Sequence, residues 1–339
     1  MRTFAREVAA PWRTLTALQR ALQHSQCWHL RFTFPRCRFR SCLLPRSVRS
    51  VSTCSLRRLP LPNYRLLAVD IDGTLVNSRD ELTPAVAEAV RRAAAAGVRV
   101  VLVTGRQYGR SRPLAVELGL DTPIVSSCGS LIKRPSDHRT LFRADFPRHV
   151  LGEVLTTVHD AGYDPVVYTD TFTAGYEYHF PVDPPRRSEL AQFIRLNPTN
   201  GRHTPDLVAA PPEGAFAGFA IGTREEMFAM HEQLDARLPG ELYIHVLRSP
   251  RYEGFMCEIA AREMTKWSGV MWLAESWNIA AEEICAVGDD VNDLPMIRGA
   301  GLGVAMGNAV PELKAAADRI APTHDDDGLV EVVRWVLGE

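Results

Sequence analysis

Two aspartates one residue apart, Asp70 and Asp72, close an apolar run and are followed at once by Gly73-Thr74. The run Leu66-Leu67-Ala68-Val69 has the unbroken apolar character of a strand buried on both faces, and the glycine marks a turn at its end. Strand side chains alternate, so both aspartates are expected on one side of the carboxyl-terminal edge, where open parallel sheets bind ligands. Neighbouring carboxylates repel one another and are costly to bury unless a cation or a shared proton offsets them. A hard divalent cation meets that need, and Mg2+ takes one or two carboxylates together with substrate phosphate. Taken alone, the segment also fits an acidic turn of no chemical consequence.

Three later segments supply what such a pair requires. Val98–Val103 is a second apolar strand, and it ends in Thr104-Gly105-Arg106. A hydroxyl and a glycine amide at a strand end can hold a phosphate oxygen. Lys266 is one of only three lysines, against 36 arginines. In a chain that uses Arg for nearly every surface cation a retained Lys is informative, and a compact ammonium is a common phosphoryl partner. An ordinary solvated lysine is the alternative. Finally, the strand Ile284–Gly288 runs into Asp289-Asp290-Val291-Asn292-Asp293. Asp289 and Asp293 are four apart and share a face of a helical first turn, while Asp290 turns away. Acidic residues also favour helix N-termini for structural reasons, so no one of them settles the matter.

These segments sit in an α/β pattern. Thr83 and Pro84 read as an N-cap and first helical residue, the helix runs through Ala85–Ala96, and Gly97 stops it. Strand, helix, strand implies a parallel pair with a right-handed crossover. A strand at Pro123–Ser126, a helix Trp267–Trp277, the strand Ile284–Val287 and a helix Asp293–Ala300 continue the alternation, which argues a doubly wound parallel core. Between 147 and 251 the character changes to helices at His149–Ala161 and Thr223–Leu238, strands at Val166–Thr169, Gly218–Gly222 and Tyr243–Val246, and Pro-rich loops. No catalytic segment falls there. The expected organisation is therefore a core of 63–146 and 252–339, with an α/β lid of 147–251 inserted through crossings near Asp145-Phe146-Pro147 and Pro250-Arg251-Tyr252.

The 339 residues are enough for two domains with real cores, and the formal charge of −1 hides an asymmetry. Residues 1–62 hold 12 Arg, no Lys or Asp, and Glu7 as their one acid, a formal +11 against −12 for the rest. This extension is expected to lack fixed structure. It fits an organelle transit peptide, a translated upstream region or a nucleic-acid-binding tail. No run of 18 apolar residues is present to span a membrane. Cys128, Cys257 and Cys285 lie far apart beside apolar runs and are expected to be buried free thiols, whereas Cys27, Cys37, Cys42 and Cys54 belong to the extension.

In this order the four segments resemble the haloacid dehalogenase (HAD) superfamily, and most closely its Cof-like (type IIB) phosphatases. Those carry Asp-x-Asp-Gly-Thr, Thr-Gly-Arg, a Lys and Gly-Asp-x-x-Asn-Asp, then a Gly-x-Ala-Met-Gly-Asn-Ala loop, matched here by Gly303-Val304-Ala305-Met306-Gly307-Asn308-Ala309. The resemblance runs from about Tyr64 to the C-terminus. It departs at Ser127-Cys128-Gly129-Ser130, where the family has Ser-Asn-Gly-Ala. It implies a Rossmann-like core with an inserted cap, and a Mg2+-dependent phosphatase acting on small phosphorylated metabolites such as sugar phosphates. By the same resemblance Asp70 is the nucleophile that forms an aspartyl-phosphate, and Asp72 is the acid and base. Mg2+ is held by Asp70, the Asp72 carbonyl and Asp289, supported by Asp293. Phosphate is held by the Ile71 and Gly105 amides, Thr104, Lys266 and Asn292. A phosphomutase of the same fold and a non-catalytic HAD-like regulator are the alternatives. The expected partner is a small phosphorylated substrate, with neither nucleic acid nor membrane, in the cytoplasm or, if 1–62 is a transit peptide, in an organelle. No pattern speaks for an oligomeric state. Lid residues that could select the substrate are Tyr176, Tyr178, His179, Arg186 and Arg187.

Overall fold

The computed structural model describes residues 64–248 and 253–339. The segment 1–62 and the expected crossing at Pro250-Arg251-Tyr252 lie outside the described residues. The chain begins with β1 (Leu66–Val69), α1 (Pro84–Ala95), β2 (Arg99–Leu102), α2 (Tyr108–Leu118) and β3 (Ile124–Ser126). Helix α1 starts as its sequence predicts: the Thr83 hydroxyl accepts the Val86 N–H at 3.3 Å, and Pro84 occupies the first helical position, where its missing N–H costs nothing. Two short strands, β4 (Leu131–Lys133) and β5 (Thr140–Arg143), form an antiparallel sheet with β3. That sheet joins the edge of the main one through a parallel bridge between Val103 and Val125.

A second sheet follows. Its elements are α3 (Arg148–Asp160), β6 (Val166–Thr169), β7 (Tyr178–Phe180), α4 (Ser188–Leu196), β8 (Gly201–His203), β9 (Ala215–Gly222), α5 (Arg224–Arg237), β10 (Leu242–Leu247) and β11 (Phe255–Ala261). The six strands run in the order β10-β11-β9-β6-β7-β8, and all neighbours are antiparallel except β7 and β8. Here the structure moves one expected boundary. β11 lies beyond residue 251 yet pairs fully with β9 and β10, so the chain leaves this cap through Arg262–Thr265. Proline and arginine at 250–251 read as a domain exit in the sequence, but they fall between two paired strands. Near the other crossing, the Phe146 N–H donates to the Ala215 carbonyl at the start of β9 at 2.8 Å.

The chain then completes the core with α6 (Lys266–Ser276), β12 (Ile284–Gly288), α7 (Leu294–Gly299), β13 (Leu302–Ala305), α8 (Pro311–Ala316), β14 (Arg319–Ile320) and α9 (Leu329–Leu337). The main sheet is parallel throughout, in the order β14-β13-β12-β1-β2. Strand alternation divides its burial between two helical layers. Leu67 and Val69 of β1 join the cluster that holds Val86, Val90, Val332 and Val333. Leu66 and Ala68 join the one that holds Val270, Leu273, Met296 and Leu313. From β1 the chain winds toward β2, and after the cap it returns on β1's other side at β12. The strand order therefore reverses at β1, and the loops after β1, β2 and β12 open into the same crevice.

Core and cap also meet away from the crossings. Asp170, just after β6, accepts hydrogen bonds from Lys133 and Thr140 of the small sheet. The Phe172 ring stands edge-on to Tyr108, with centroids 5.0 Å apart. Glu177 accepts the Gly109 N–H at 2.9 and 3.1 Å, at the amino end of α2, where a carboxylate suits the exposed amides. Burial pushes the Glu177 carboxyl up to about 7, with Asp170 adding to the rise, against the Gly109 N–H and Lys133, which lower it. A carboxyl raised on folding contributes stability fully below its ordinary value and loses it as pH climbs through the folded one. The contribution of Glu177 is thus lost between its ordinary value of 4.5 and about 7. Glu177→Gln should make the melting temperature fall less steeply than wild type over that interval. Parallel pH–Tm curves for the two proteins would contradict this reading of the contact.

Candidate active site

The loop after β1 is fixed by what surrounds it. The Asp70 N–H continues the pairing with β12 by donating to the Val287 carbonyl at 3.1 Å. The chain then turns at Gly73, whose φ is +72°, and the Val76 N–H closes the turn on the Ile71 carbonyl at 3.1 Å. A Cβ on Gly73 would fall 2.1 Å from an Asp289 carboxylate oxygen. Gly73 is therefore required twice, for its conformation and for the close approach of the loop after β12.

Lys266 is the first residue of α6, whose start is set by a reciprocal cap. The Thr265 hydroxyl accepts the Ser268 N–H at 3.0 Å, and the Ser268 hydroxyl accepts the Thr265 N–H at 2.9 Å. From there the Lys266 ammonium, 2 % exposed, donates to Asp70 Oδ1 at 2.7 Å and to Asp293 Oδ1 at 2.6 Å. The other Asp293 oxygen accepts the N–H groups of Asp289 and Asp290 at 2.9 and 3.1 Å. Asp293 thus shapes the loop after β12 and positions Lys266 together. Burial lowers the Lys266 pKa, but Asp293 and Asp70 more than offset this and hold the ammonium well above the ordinary lysine range.

Carboxylate oxygens of Asp70, Asp289 and Asp293 lie within 4.8 Å of one another. Burial raises Asp70, as do the Asp293 and Asp72 charges, and the attraction of Lys266 only partly opposes them. Burial and the Asp70 and Asp293 charges likewise raise Asp289. One ammonium among three acids, Asp70 and Asp293 buried and Asp289 half-buried, leaves the cluster short of positive charge. An all-oxygen donor set with that deficit suits a hard divalent cation.

The partner of Asp70 in this cluster is Asp289 rather than Asp72, which sequence spacing had placed on the same side. Asp72 belongs instead to Arg106, the arginine after Thr104-Gly105. Arg106 Nε and a terminal nitrogen grip its two oxygens at 2.8 and 2.6 Å, and the guanidinium also reaches Asp80. Burial would raise the Asp72 carboxyl, but the Arg106 fork outweighs it and holds the group below the usual carboxylate range. The Thr104 hydroxyl accepts the Arg106 N–H at 3.0 Å, shaping the loop that carries Gly105. Asn292 has its amide nitrogen 3.9 Å from the Cys128 sulfur, and its oxygen has no partner. Cys128, Cys257 and Cys285 are free and buried, as expected.

Two residues that the sequence reading did not single out complete the site. Asn308, within the Gly-Asn-Ala loop, donates to the Gly73 carbonyl at 2.9 Å and to Asp289 Oδ2 at 3.2 Å. Its signal was visible in the loop motif, though not its target. Glu258 of β11 faces the site from the cap, with the Cys128 thiol 3.5 Å from Oε2, and burial pushes its carboxyl up to about 7. No spacing in the sequence pointed to Glu258.

A cavity of about 510 Å³ opens over these loops, reaching from Asp70, Asp289 and Lys266 to the cap residues Tyr168, Phe193, Leu247, Arg248 and Met256. The lid residues proposed from sequence are engaged elsewhere in the cap. Tyr178 is fully buried and donates to the Asn197 carbonyl. His179 contacts Thr204 and Thr169, Arg186 pairs with Asp164, Arg187 with Glu226, and Tyr176 accepts from Arg202. Among the described residues no helix is long and apolar enough to cross a membrane.

Known proteins resemble this chain in sequence and in fold. Phosphatase YwpJ of Bacillus subtilis (strain 168) is 28% identical over 295 residues, covering 80% of this chain and all of YwpJ. Pyridoxal phosphate phosphatase YbhA of Escherichia coli (strain K12) is 29% identical over 289 residues, covering 79% of this chain and 97% of YbhA. The crystal structure of a haloacid dehalogenase-like hydrolase from Bacteroides thetaiotaomicron matches with a TM-score of 0.68 at 29% identity, over 80% of this chain and 98% of that one. The family profile of haloacid dehalogenase-like hydrolases matches residues 67–333, a span that includes both large sheets and every loop of the site. The chain belongs to the haloacid dehalogenase-like hydrolase family, in its Cof-like branch.

Proposed function

We propose that this phosphoric monoester hydrolase is a Mg2+-dependent phosphatase of small phosphorylated metabolites, sugar phosphates foremost, working through an aspartyl-phosphate on Asp70. The observation that carries the reading is the buried Asp70–Lys266–Asp293 cluster beside Asp289, under a cavity of about 510 Å³. Mg2+, held by an Asp70 oxygen, the Asp72 carbonyl and Asp289, would supply charge neutralisation at the phosphoryl oxygens.

The chain's own residues divide the remaining work. One Asp70 oxygen is engaged by Lys266, which leaves the other to attack phosphorus in line with the departing alcohol oxygen. A phosphoryl group there would meet the Lys266 ammonium, the Ile71 and Gly105 amides, Thr104 and the Asn292 amide, which lacks a strong acceptor. Asp72 then serves both halves of the reaction. Held ionised by Arg106, it is ready to take a proton from the water that hydrolyses the aspartyl-phosphate. To protonate the leaving alcohol in the first half, the fork must loosen, and Asp80 offers Arg106 a second partner.

With 4-nitrophenyl phosphate as a generic substrate, Asp70→Asn should abolish turnover and a chelator should do so reversibly. Appreciable activity in Asp70→Asn would remove Asp70 as nucleophile. Lys266→Ala should lower kcat by roughly 100-fold or more on every substrate alike, as when one preorganised electrostatic partner is lost. A loss confined to some substrates would place Lys266 at the leaving group instead of the phosphoryl group.

A further inference from the structure

Beside the main cavity, between core and cap, lies a recess of about 20 Å³ lined in part by Gly105, Ser127, Cys128, Tyr243, His245 and Glu258. Its polar groups are poorly satisfied. The Ser127 hydroxyl is buried in a residue 5 % exposed and has no partner, and His245 Nε2 is also buried without one. The one polar partner that lines the recess with Glu258 is a thiol, a weak donor, 3.5 Å from its carboxylate. Buried polar atoms without partners cost free energy comparable to a lost hydrogen bond, so two of them beside a weakly bonded carboxyl suit a group that can bond to all three.

We propose that this recess receives one hydroxyl group carried by the leaving group of the phosphate ester, so that Ser127, His245 and Glu258 select among phosphorylated metabolites by that single hydroxyl. The proposal rests on the phosphatase reading above and deepens it. Size is the first argument. The recess takes one water-sized group and excludes a ring or a second phosphate. Location is the second. Glu258 oxygens lie 3.7 and 3.8 Å from the point where a Cβ on Gly105 would sit, so the recess adjoins the loop proposed to hold the phosphoryl group. Charge is the third. The Glu258 carboxyl offers an anionic substituent no positive charge, and burial lowers His245 to about 4, so at neutral pH the imidazole offers none either. A hydroxyl donates one hydrogen bond and accepts two, which lets it serve Glu258, Ser127 and His245 together. The imidazole is steadied by the edge-on Tyr243 ring, with centroids 4.3 Å apart.

The test compares kcat/KM, with Mg2+, for pentose, hexose and polyol phosphates against their singly deoxygenated counterparts, with 4-nitrophenyl phosphate alongside. Wild type should prefer at least one hydroxylated ester to its deoxy counterpart by about 100-fold or more, because a site built to bond a hydroxyl is left unpaired without it. Ser127→Ala and His245→Phe should each shrink that ratio about tenfold or more. Ser127→Ala removes an unpaired buried hydroxyl, so a purely structural role predicts equal or higher melting temperature and an unchanged ratio. Deoxy counterparts that all perform within about threefold of their parents, or ratios unmoved in both variants, would overturn the proposal and assign the recess to an ordered water. Hydrolysis of 4-nitrophenyl phosphate in that case leaves the phosphatase reading standing, whereas its absence in wild type sinks both.

Discussion

One buried ammonium holds the site together. Lys266 reaches Asp70 from β1 and Asp293 from the loop after β12 in a space that is nearly closed to water. An ion pair so buried pays a large desolvation cost, and the cost is bearable only when geometry and further hydrogen bonds are good. Both conditions are met here, because Asp293 also collects two backbone N–H groups and α6 begins in a reciprocal cap that aims Lys266 inward. Elements far apart in sequence are thereby locked into one constellation. The same arrangement leaves Asp70 and Asp289 with more negative charge than the protein can offset, which is the condition for holding a hard cation.

Around that lock the charges are sorted in pairs. Asp70 belongs to Lys266 and Asp72 to Arg106, so two carboxylates one residue apart experience opposite pressures: burial and like charges raise the first, and the guanidinium lowers the second. Two acids of one motif are thus separated in character by their partners, as the proposed division into a nucleophile and a proton carrier requires. The cap contributes at its edge through β11, where Glu258 approaches from the opposite side. β11 belongs to the second sheet, yet only the loop Arg262–Thr265 separates it from Lys266 at the start of α6.

Much of this was legible in the chain. Elements built from local signals, such as the Thr83–Pro84 start of α1, the apolar strands β1 and β12 and the helices α3 and α5, lie within a residue or so of where periodicity and capping put them. The four motif segments do converge, because a parallel sheet whose order reverses at β1 brings their loops to one crevice. What the sequence hid depends on tertiary pairing. The fork of Arg106 on Asp72, the bond from Asn308 to Asp289 and the approach of Glu258 join residues separated by distances in sequence that no local pattern encodes. The cap boundary was misplaced for a related reason, since Pro250 and Arg251 resemble a domain exit while β11 finds its partners only in three dimensions. Aromatic and basic residues of the lid were conspicuous in sequence, yet Tyr178 and Arg186 are spent on the cap's own structure.

The central claim is that Asp70 takes the phosphoryl group before water does. The most direct measurement is the stereochemical course at phosphorus, followed with a phosphorothioate monoester made chiral by two oxygen isotopes and hydrolysed in water carrying the third. Two successive in-line displacements, first by Asp70 and then by water, invert the centre twice, so the account predicts net retention. Net inversion would mean that water attacks the ester directly, and would contradict the account.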